Sequence, residues 1–177
     1  MHSRHIFLVG PMGAGKSTLG APLAERLKRP FYDMDAMIVS KGRRSIPDIF
    51  EHDGECTFRA MESALLAELC KRDTAAVIAT GGGVIISAPN RQRMQQSGIV
   101  IWLDVPPDVA AARIRGDHNR PLLSGVNPLH KARELDVLRR PLYRADSRHA
   151  VRADKLSPHD AVNEILTFLT CSPDGLM

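Results

Sequence analysis

Lys16 and Ser17 close the string Gly10-Pro11-Met12-Gly13-Ala14-Gly15-Lys16-Ser17. A cation and a hydroxyl placed directly after spaced glycines are suited to holding a polyphosphate. The string fits Gly-x-x-x-x-Gly-Lys-Ser/Thr, the P-loop pattern. Gly10, Gly13 and Gly15 lack a Cβ, so the chain can turn sharply and close its N–H groups, with that of Ala14 among them, on an anion. Lys16 supplies a point charge for β- and γ-phosphates, and the Ser17 hydroxyl a ligand for Mg²⁺. With glycine at about 7% of residues, a chance match in a chain of this length is on the order of one in a hundred or rarer. Nucleotide phosphate binding is therefore the expected chemistry.

Other groups are suggestive but open on their own. Arg59 and Glu62 are three apart on a helical pattern, so they can pair, and such a pair is often only a solvated surface contact. Gly81-Gly82-Gly83 directly follows an apolar run. That is either bare backbone for close ligand approach or a flexible turn. The seven histidines, at 2, 5, 52, 118, 130, 149 and 159, have no pairing typical of a metal site, so the expected metal is Mg²⁺ brought by the nucleotide.

The elements that must position these residues alternate apolar runs with helical patterns, the mark of βαβ units and a parallel sheet. Ile6-Phe7-Leu8-Val9 is a strand entering the loop, and Lys16 to Lys28 a helix leaving it, whose dipole adds positive potential at the loop. Pro30 to Asp33 reads as a second strand ending in acid. Met37 to Lys41 and Ile46 to His52 read as short helices, with Gly54 separating the second from the next. Glu55 to Arg72 is amphipathic, with Phe58, Met61, Leu65 and Leu69 facing the core. Ala75 to Thr80 is a buried strand, Arg91 to Gln96 a helix, Ile99 to Leu103 a buried strand, and Pro106-Pro107 opens a helix through Arg113. Gly116 to Pro128 has loop composition and reads as a lid. Leu129 to Arg140 is a helix that Pro141 ends or kinks. A short strand at Ala150-Val151-Arg152 and a helix lined by Ala161, Ile165, Phe168 and Leu169 complete the chain, with Ser172 to Met177 a frayed end.

The 177 residues suit one domain with a substantial core. The net charge of +4, from 24 basic and 20 acidic residues, is mild. It suits anionic ligands; aromatics are only 5% and no basic stretch is interleaved with them, so nucleic acid is not an expected partner. Cys56, Cys70 and Cys171 form no Cys-x-x-Cys pair, which argues against a zinc site or disulfide framework. Met1 to His5 runs straight into the first strand, whose apolar run is too short for a signal or membrane span. The reading is a soluble, cytoplasmic monomer with no membrane partner.

A P-loop alone leaves GTPases, motor-type ATPases and small-molecule kinases open. The Asp-x-x-Gly and Asn-Lys-x-Asp strings of a small GTPase occur nowhere in the chain. From Ile6 to about Pro158 the chain resembles the shikimate kinases. The P-loop is followed, in that family's order, by Asp33-Met34-Asp35, then by Gly54-Glu55-Cys56-Thr57-Phe58-Arg59 with Glu62. After these come Gly81-Gly82-Gly83, Arg120-Pro121-Leu122-Leu123 in the lid, and Arg139-Arg140-Pro141-Leu142-Tyr143.

The resemblance implies an α/β, single-domain, three-layer P-loop kinase fold over residues 1–177, similar to nucleoside monophosphate kinases. Its central sheet would be mostly parallel, with about five strands, flanked by helices. The lid would span about 116–128 and the acceptor-binding helices about 36–72. It also implies transfer of the ATP γ-phosphate to the 3-hydroxyl of shikimate, with Mg²⁺, on the route to chorismate and aromatic amino acids. By resemblance Arg59 and Arg139 clamp the carboxylate, as bidentate guanidinium forks can. Glu62 orients Arg59, Asp35 accepts from the ring hydroxyls, Gly82 and Gly83 offer N–H groups, and Phe50 and Phe58 line the apolar side. Ser17 and Asp33 position the metal, Arg120 closes over the phosphates, and Arg113 stacks near adenine. Thr18 and Arg152 to Pro158 complete the nucleotide pocket, where Ala153 departs from the family pattern. The rival readings are a kinase for another small polyol acid such as gluconate, and a P-loop binding module that transfers nothing.

Overall fold

The computed structural model describes residues 4–115 and 126–171. Five strands form one parallel sheet in the order β2-β3-β1-β4-β5. They are β1 (His5–Val9), β2 (Phe31–Asp33), β3 (Val77–Ala79), β4 (Gly98–Leu103) and β5 (His149–Val151). The "mostly parallel" sheet expected from sequence is parallel throughout the described residues. Because β1 is central and paired on both edges, all five of its residues are buried, which is why it reads as an unbroken apolar run.

Among the described residues seven α-helices cover the two faces. They are α1 (Lys16–Leu27), α2 (Met34–Gly42), α3 (Ile46–Cys70), α4 (Ala88–Ser97), α5 (Pro107–Arg113), α6 (Pro128–Asp146) and α7 (Pro158–Cys171). The two-residue period of a strand sorts β1 between them. Ile6 and Leu8 pack with Leu19, Leu23, Ile165 and Leu169 of α1 and α7. Phe7 and Val9 face Leu65, Leu66, Met94 and Tyr143 of α3, α4 and α6. Two cores on opposite faces of one sheet make the three-layer sandwich.

Local chemistry sets the boundaries. Helix α2 starts at Met34, three residues before the expected start, because the Asp33 side chain accepts from the Ala36 N–H at 3.2 Å and caps it. Asp35 is thereby placed in a helical first turn. Helix α3 is opened by a capping box between Ser45 and Asp48. It is broken at Gly54, whose φ of 80° and ψ of 166° separate two helical runs as the sequence suggests. A 3₁₀ turn at Val84–Ile86 follows the three glycines and has no counterpart in the sequence reading.

The expectation that Pro141 could end its helix is corrected: α6 continues to Asp146. The acceptor that Pro141 leaves without its usual donor belongs to Val137, one of the most exposed apolar residues, at 74%, where water can serve it. Two residues after Pro141 the buried ring of Tyr143 anchors the helix to the sheet by stacking on Trp102.

Candidate active site

The site lies at the carboxyl ends of the strands, where β1 runs into the loop before α1 and the chain order reverses around it, the usual ligand position in open parallel sheets. Gly15, with φ of 91°, is the residue before α1, and no side chain caps the helix. Its first N–H groups are therefore directed at the loop rather than satisfied by a cap. Gly13, at φ 77°, packs so tightly that a Cβ would sit 2.6 Å from the Ala110 carbonyl oxygen of α5. Lys16 Nζ donates to the carbonyls of Gly10 at 2.9 Å and Pro11 at 2.8 Å, which folds the ammonium back over the loop.

A cavity of about 540 Å³ opens here, lined by residues 12–19 of the loop and α1. One end reaches Arg113, Ala153, Leu156, Pro158 and Ala161; the other reaches Asp33, Asp35, Thr80 and Gly82. The guanidinium of Arg113 donates to the carbonyls of Gly13 at 3.3 Å and Ala153 at 3.0 Å. It ties the loop to the segment before α7. Ala153, which departs from the family pattern, contributes a backbone oxygen and a small side chain there.

Ser17 Oγ donates to Asp33 Oδ2 although sixteen residues separate them. Two hard oxygens, a hydroxyl and a carboxylate, thus meet at the start of α1 beside the loop. The pair fits Mg²⁺, which takes few protein ligands and completes its shell with phosphate and water.

At the Asp35 end the three glycines organise the charged groups. A Cβ on Gly81 would collide with Glu62 Oε1 and lie 3.2 Å from Asp35 Oδ1. One on Gly83 would overlap the Arg59 guanidinium. One on Gly82 would stand 3.5 Å from the Gly10 oxygen and 3.6 Å from Arg139 Nη1. The glycine run therefore touches both arginines and the phosphate loop, and the reading of it as a merely flexible turn is corrected. It is the packed junction of the site.

Arg59 donates from Nη1 to Glu62 Oε2 at 3.0 Å and from Nη2 to Glu55 Oε1 at 3.0 Å. Glu62 is 1% exposed, so the alternative of a solvated surface pair does not hold. Helical spacing cannot reveal this, because the burial is supplied by Gly81 from a distant strand end. Burial drives the Glu62 carboxyl above its ordinary value, and Arg59 opposes the shift. Burial alone would lower the Arg59 value, but Glu62 and Glu55 outweigh it and raise it.

Arg139 is 4% exposed. Its Nη1 donates to the Gly82 carbonyl at 3.1 Å, while its buried Nε has no hydrogen-bond partner. Burial, and secondarily the like charge of Arg59, lower its value against the opposing pull of Tyr143. Among the described residues it has no carboxylate partner within ion-pair distance. A buried guanidinium with unused donors beside a second guanidinium calls for an anion.

The ring of Phe50 lies 4.9 Å from that of Phe58, and Arg59 stacks over Phe58 at 5.2 Å. Phe58 is a core residue, and Phe50 is only partly buried beside it. Thr18 lies in the cavity wall. Arg120 and most of the lid, residues 116–125, fall outside the described residues.

Sequence reasoning had not singled out Thr80, which lines the cavity and donates to the Leu8 carbonyl at 3.0 Å. It had also missed Met12 and Ile114 in the cavity wall, whereas Leu156 falls within the expected segment Arg152 to Pro158. Thr80's place at the carboxyl end of β3 was the available signal. The apolar wall residues carried none.

A P-loop with two guanidiniums converging beside it, at the ends of one parallel sheet, is the arrangement of a P-loop small-molecule kinase. The shikimate kinase family model matches residues 12–170. The shikimate kinase of Acinetobacter baumannii (strain AYE) is 45% identical over 165 residues, covering 93% of this chain and 91% of its own. That of Pseudomonas syringae pv. tomato is 42% identical over 170 residues, covering 96% and 98%. The structure of the Acinetobacter baumannii enzyme in complex with shikimate aligns with a TM-score of 0.91 at 44% identity, over 95% of this chain and 93% of that one. The chain belongs to the shikimate kinase family.

Proposed function

We propose that this chain transfers the γ-phosphoryl group of Mg²⁺-bound ATP to the 3-hydroxyl of shikimate. The observation that carries the reading is the placement of Arg59 and Arg139 against Gly83 and Gly82, next to the P-loop. Two guanidiniums suit the acceptor's carboxylate, and Asp35, in the cavity beside Gly82, suits its hydroxyls.

In phosphoryl transfer the moving group spreads negative charge over its equatorial oxygens, so alignment and countercharge dominate. Lys16 exchanges its bonds to the Gly10 and Pro11 carbonyls for phosphate oxygens, while the N–H groups at the start of α1 hold the rest of the chain of phosphates. Ser17 and Asp33 hold Mg²⁺, which supplies further countercharge to the phosphates when bound. Arg120 is assigned to the same task on family resemblance. Arg113 and residues 153–161 enclose the adenosine end. Arg139 and Arg59 engage the carboxylate, with Glu62 holding the Arg59 fork. Asp35 orients the attacking hydroxyl and takes its proton as the new P–O bond forms and the bond to ADP breaks. On family resemblance the lid assigned to 116–128, most of it outside the described residues, is given the task of keeping water from acting as acceptor.

We place the protein in the cytoplasm as a single-domain monomer. Its three cysteines are free thiols, which suits a reducing compartment. No helix among the described residues is long and apolar enough to cross a membrane. Light scattering tests the oligomeric state.

The deciding assay follows ADP release with ATP and Mg²⁺, adding shikimate, gluconate or no acceptor. Release that depends on shikimate alone is expected. Equal release without acceptor, or preference for gluconate, overturns the assignment.

A further inference from the structure

The phenol of Tyr143 is buried, and no step above employs it. It lies one turn beyond Arg139 on α6, and the two side chains converge on a single atom. Tyr143 donates its hydroxyl to the Gly82 carbonyl at 2.7 Å, and Arg139 Nη1 reaches the same oxygen at 3.1 Å. The tyrosine ring is stacked on Trp102, with centroids 6.0 Å apart and planes 17° apart. Core packing, rather than any ligand, therefore sets where the hydroxyl points.

A trans peptide is planar, with its C=O and N–H directed oppositely. Two donors from α6 on the Gly82 oxygen thus turn the Gly83 N–H away from α6. The turn that follows uses the N–H of Val84 to Gly81 at 3.2 Å and of Ile86 to Gly83 at 3.1 Å. The Gly83 N–H takes no part in that turn. Gly83 is also the residue against which the Arg59 guanidinium rests.

We infer that Tyr143 is a positioning residue for the acceptor: with Arg139 it locks the Gly82–Gly83 peptide so that the Gly83 N–H is presented to an oxygen of the acceptor. The inference rests on the acceptor assignment made above. Arg139 cannot hold the peptide by itself through a catalytic cycle, because its fork must also serve the acceptor's carboxylate. The phenol has no second task. Burial pushes the pKa of the phenol above its ordinary value, so it stays a neutral donor while the guanidinium shifts. Two donors on one carbonyl also polarise the peptide and strengthen its N–H as a donor.

The test compares wild type with Tyr143→Phe, which keeps the ring on Trp102 and removes only the hydroxyl. The readouts are KM for shikimate, KM for ATP, kcat, the thermal midpoint, and the Gly83 amide resonance in ¹⁵N-glycine-labelled protein. The expected result is a rise of about fivefold in KM for shikimate, with the ATP constant and kcat little changed and the free-protein Gly83 resonance displaced. A purely structural role lowers the midpoint and leaves the ratio of the two KM values alone, and that outcome overturns the inference. Should the variant not fold, wild type decides: the Gly83 amide must move downfield on adding shikimate, and a stationary resonance overturns the inference. Should wild type show no shikimate-dependent turnover, the acceptor assignment falls instead. The Gly83 resonance of free Tyr143→Phe still reports whether the hydroxyl sets the peptide, an unchanged position counting against it.

Discussion

The guanidinium of Arg59 lies so close to Gly83 that a methyl group there would overlap it. The contact joins the kinked helix α3 to the segment after β3, and it sets the Arg59–Glu62 ion pair beside the glycine run instead of on the open surface.

Substituting Gly83→Ala should therefore damage acceptor binding selectively. The atoms in the way are the far end of a flexible side chain, so Arg59 moves and the fold survives. We expect KM for shikimate to rise about tenfold or more, on the scale of a lost charge-assisted hydrogen bond, with KM for ATP near wild type. Gly20→Ala provides the contrast. Its Cβ would collide with the Phe31 ring in the core, costing about 1–3 kcal/mol of stability by overpacking without altering either KM. Steady-state kinetics with thermal denaturation separate the two; equal kinetic damage from both substitutions would refute the distinction.

Arg59→Ala removes the guanidinium itself. Loss of charge-assisted bonds of about 1.5–3 kcal/mol corresponds to roughly a ten- to hundredfold higher KM for shikimate. The ATP constant should hardly move, since Arg59 adjoins Gly83 and not α1. Parallel weakening for both substrates would place Arg59 outside the acceptor site.

Lys16→Ala should lower kcat by about 10²–10³-fold or more, the scale for removing a preorganised charge at the reacting centre. The circular dichroism spectrum should stay that of the native protein, because the Lys16 side chain is half-buried and its ammonium bonds to the carbonyls of Gly10 and Pro11 in the loop rather than to the sheet. Turnover close to wild type would sink the phosphate-cradle mechanism.

Glu62→Gln is expected to alter both activity and the pH dependence of stability. In the folded protein burial raises the carboxyl above its ordinary 4.5, so the native state retains its proton to higher pH than the unfolded chain. Its contribution is fully present below about pH 4.5 and is lost as pH rises through the folded-state value. Glutamine cannot ionise, so that decline should disappear from denaturant titrations taken across the window. Meanwhile KM for shikimate should rise, because Arg59 loses an anionic partner. An unchanged stability profile would mean that Glu62 titrates as it does in the unfolded chain.

Local chemistry made much of the protein legible in advance. The P-loop is contiguous, so Gly10 to Ser17 announces a phosphate site before any fold is known. The buried strands read as apolar runs because parallel sheets hide both faces, and Gly54 announces a helix break because few other residues adopt its backbone angles. Family order then named Asp35, Arg59, Gly82, Gly83 and Arg139 as candidates, yet their environments lay beyond it. Burial of Glu62 depends on β3 delivering Gly81 to α3, and the crowding of Arg59 and Arg139 depends on α3 and α6 meeting across one glycine run. Helix α6 passes Pro141 because Tyr143 is gripped by Trp102 and Gly82, partners some forty and sixty residues away. A sequence states what its neighbours in the chain can do to one another; dielectric, steric closeness and shared acceptors arise only when distant segments are brought into contact.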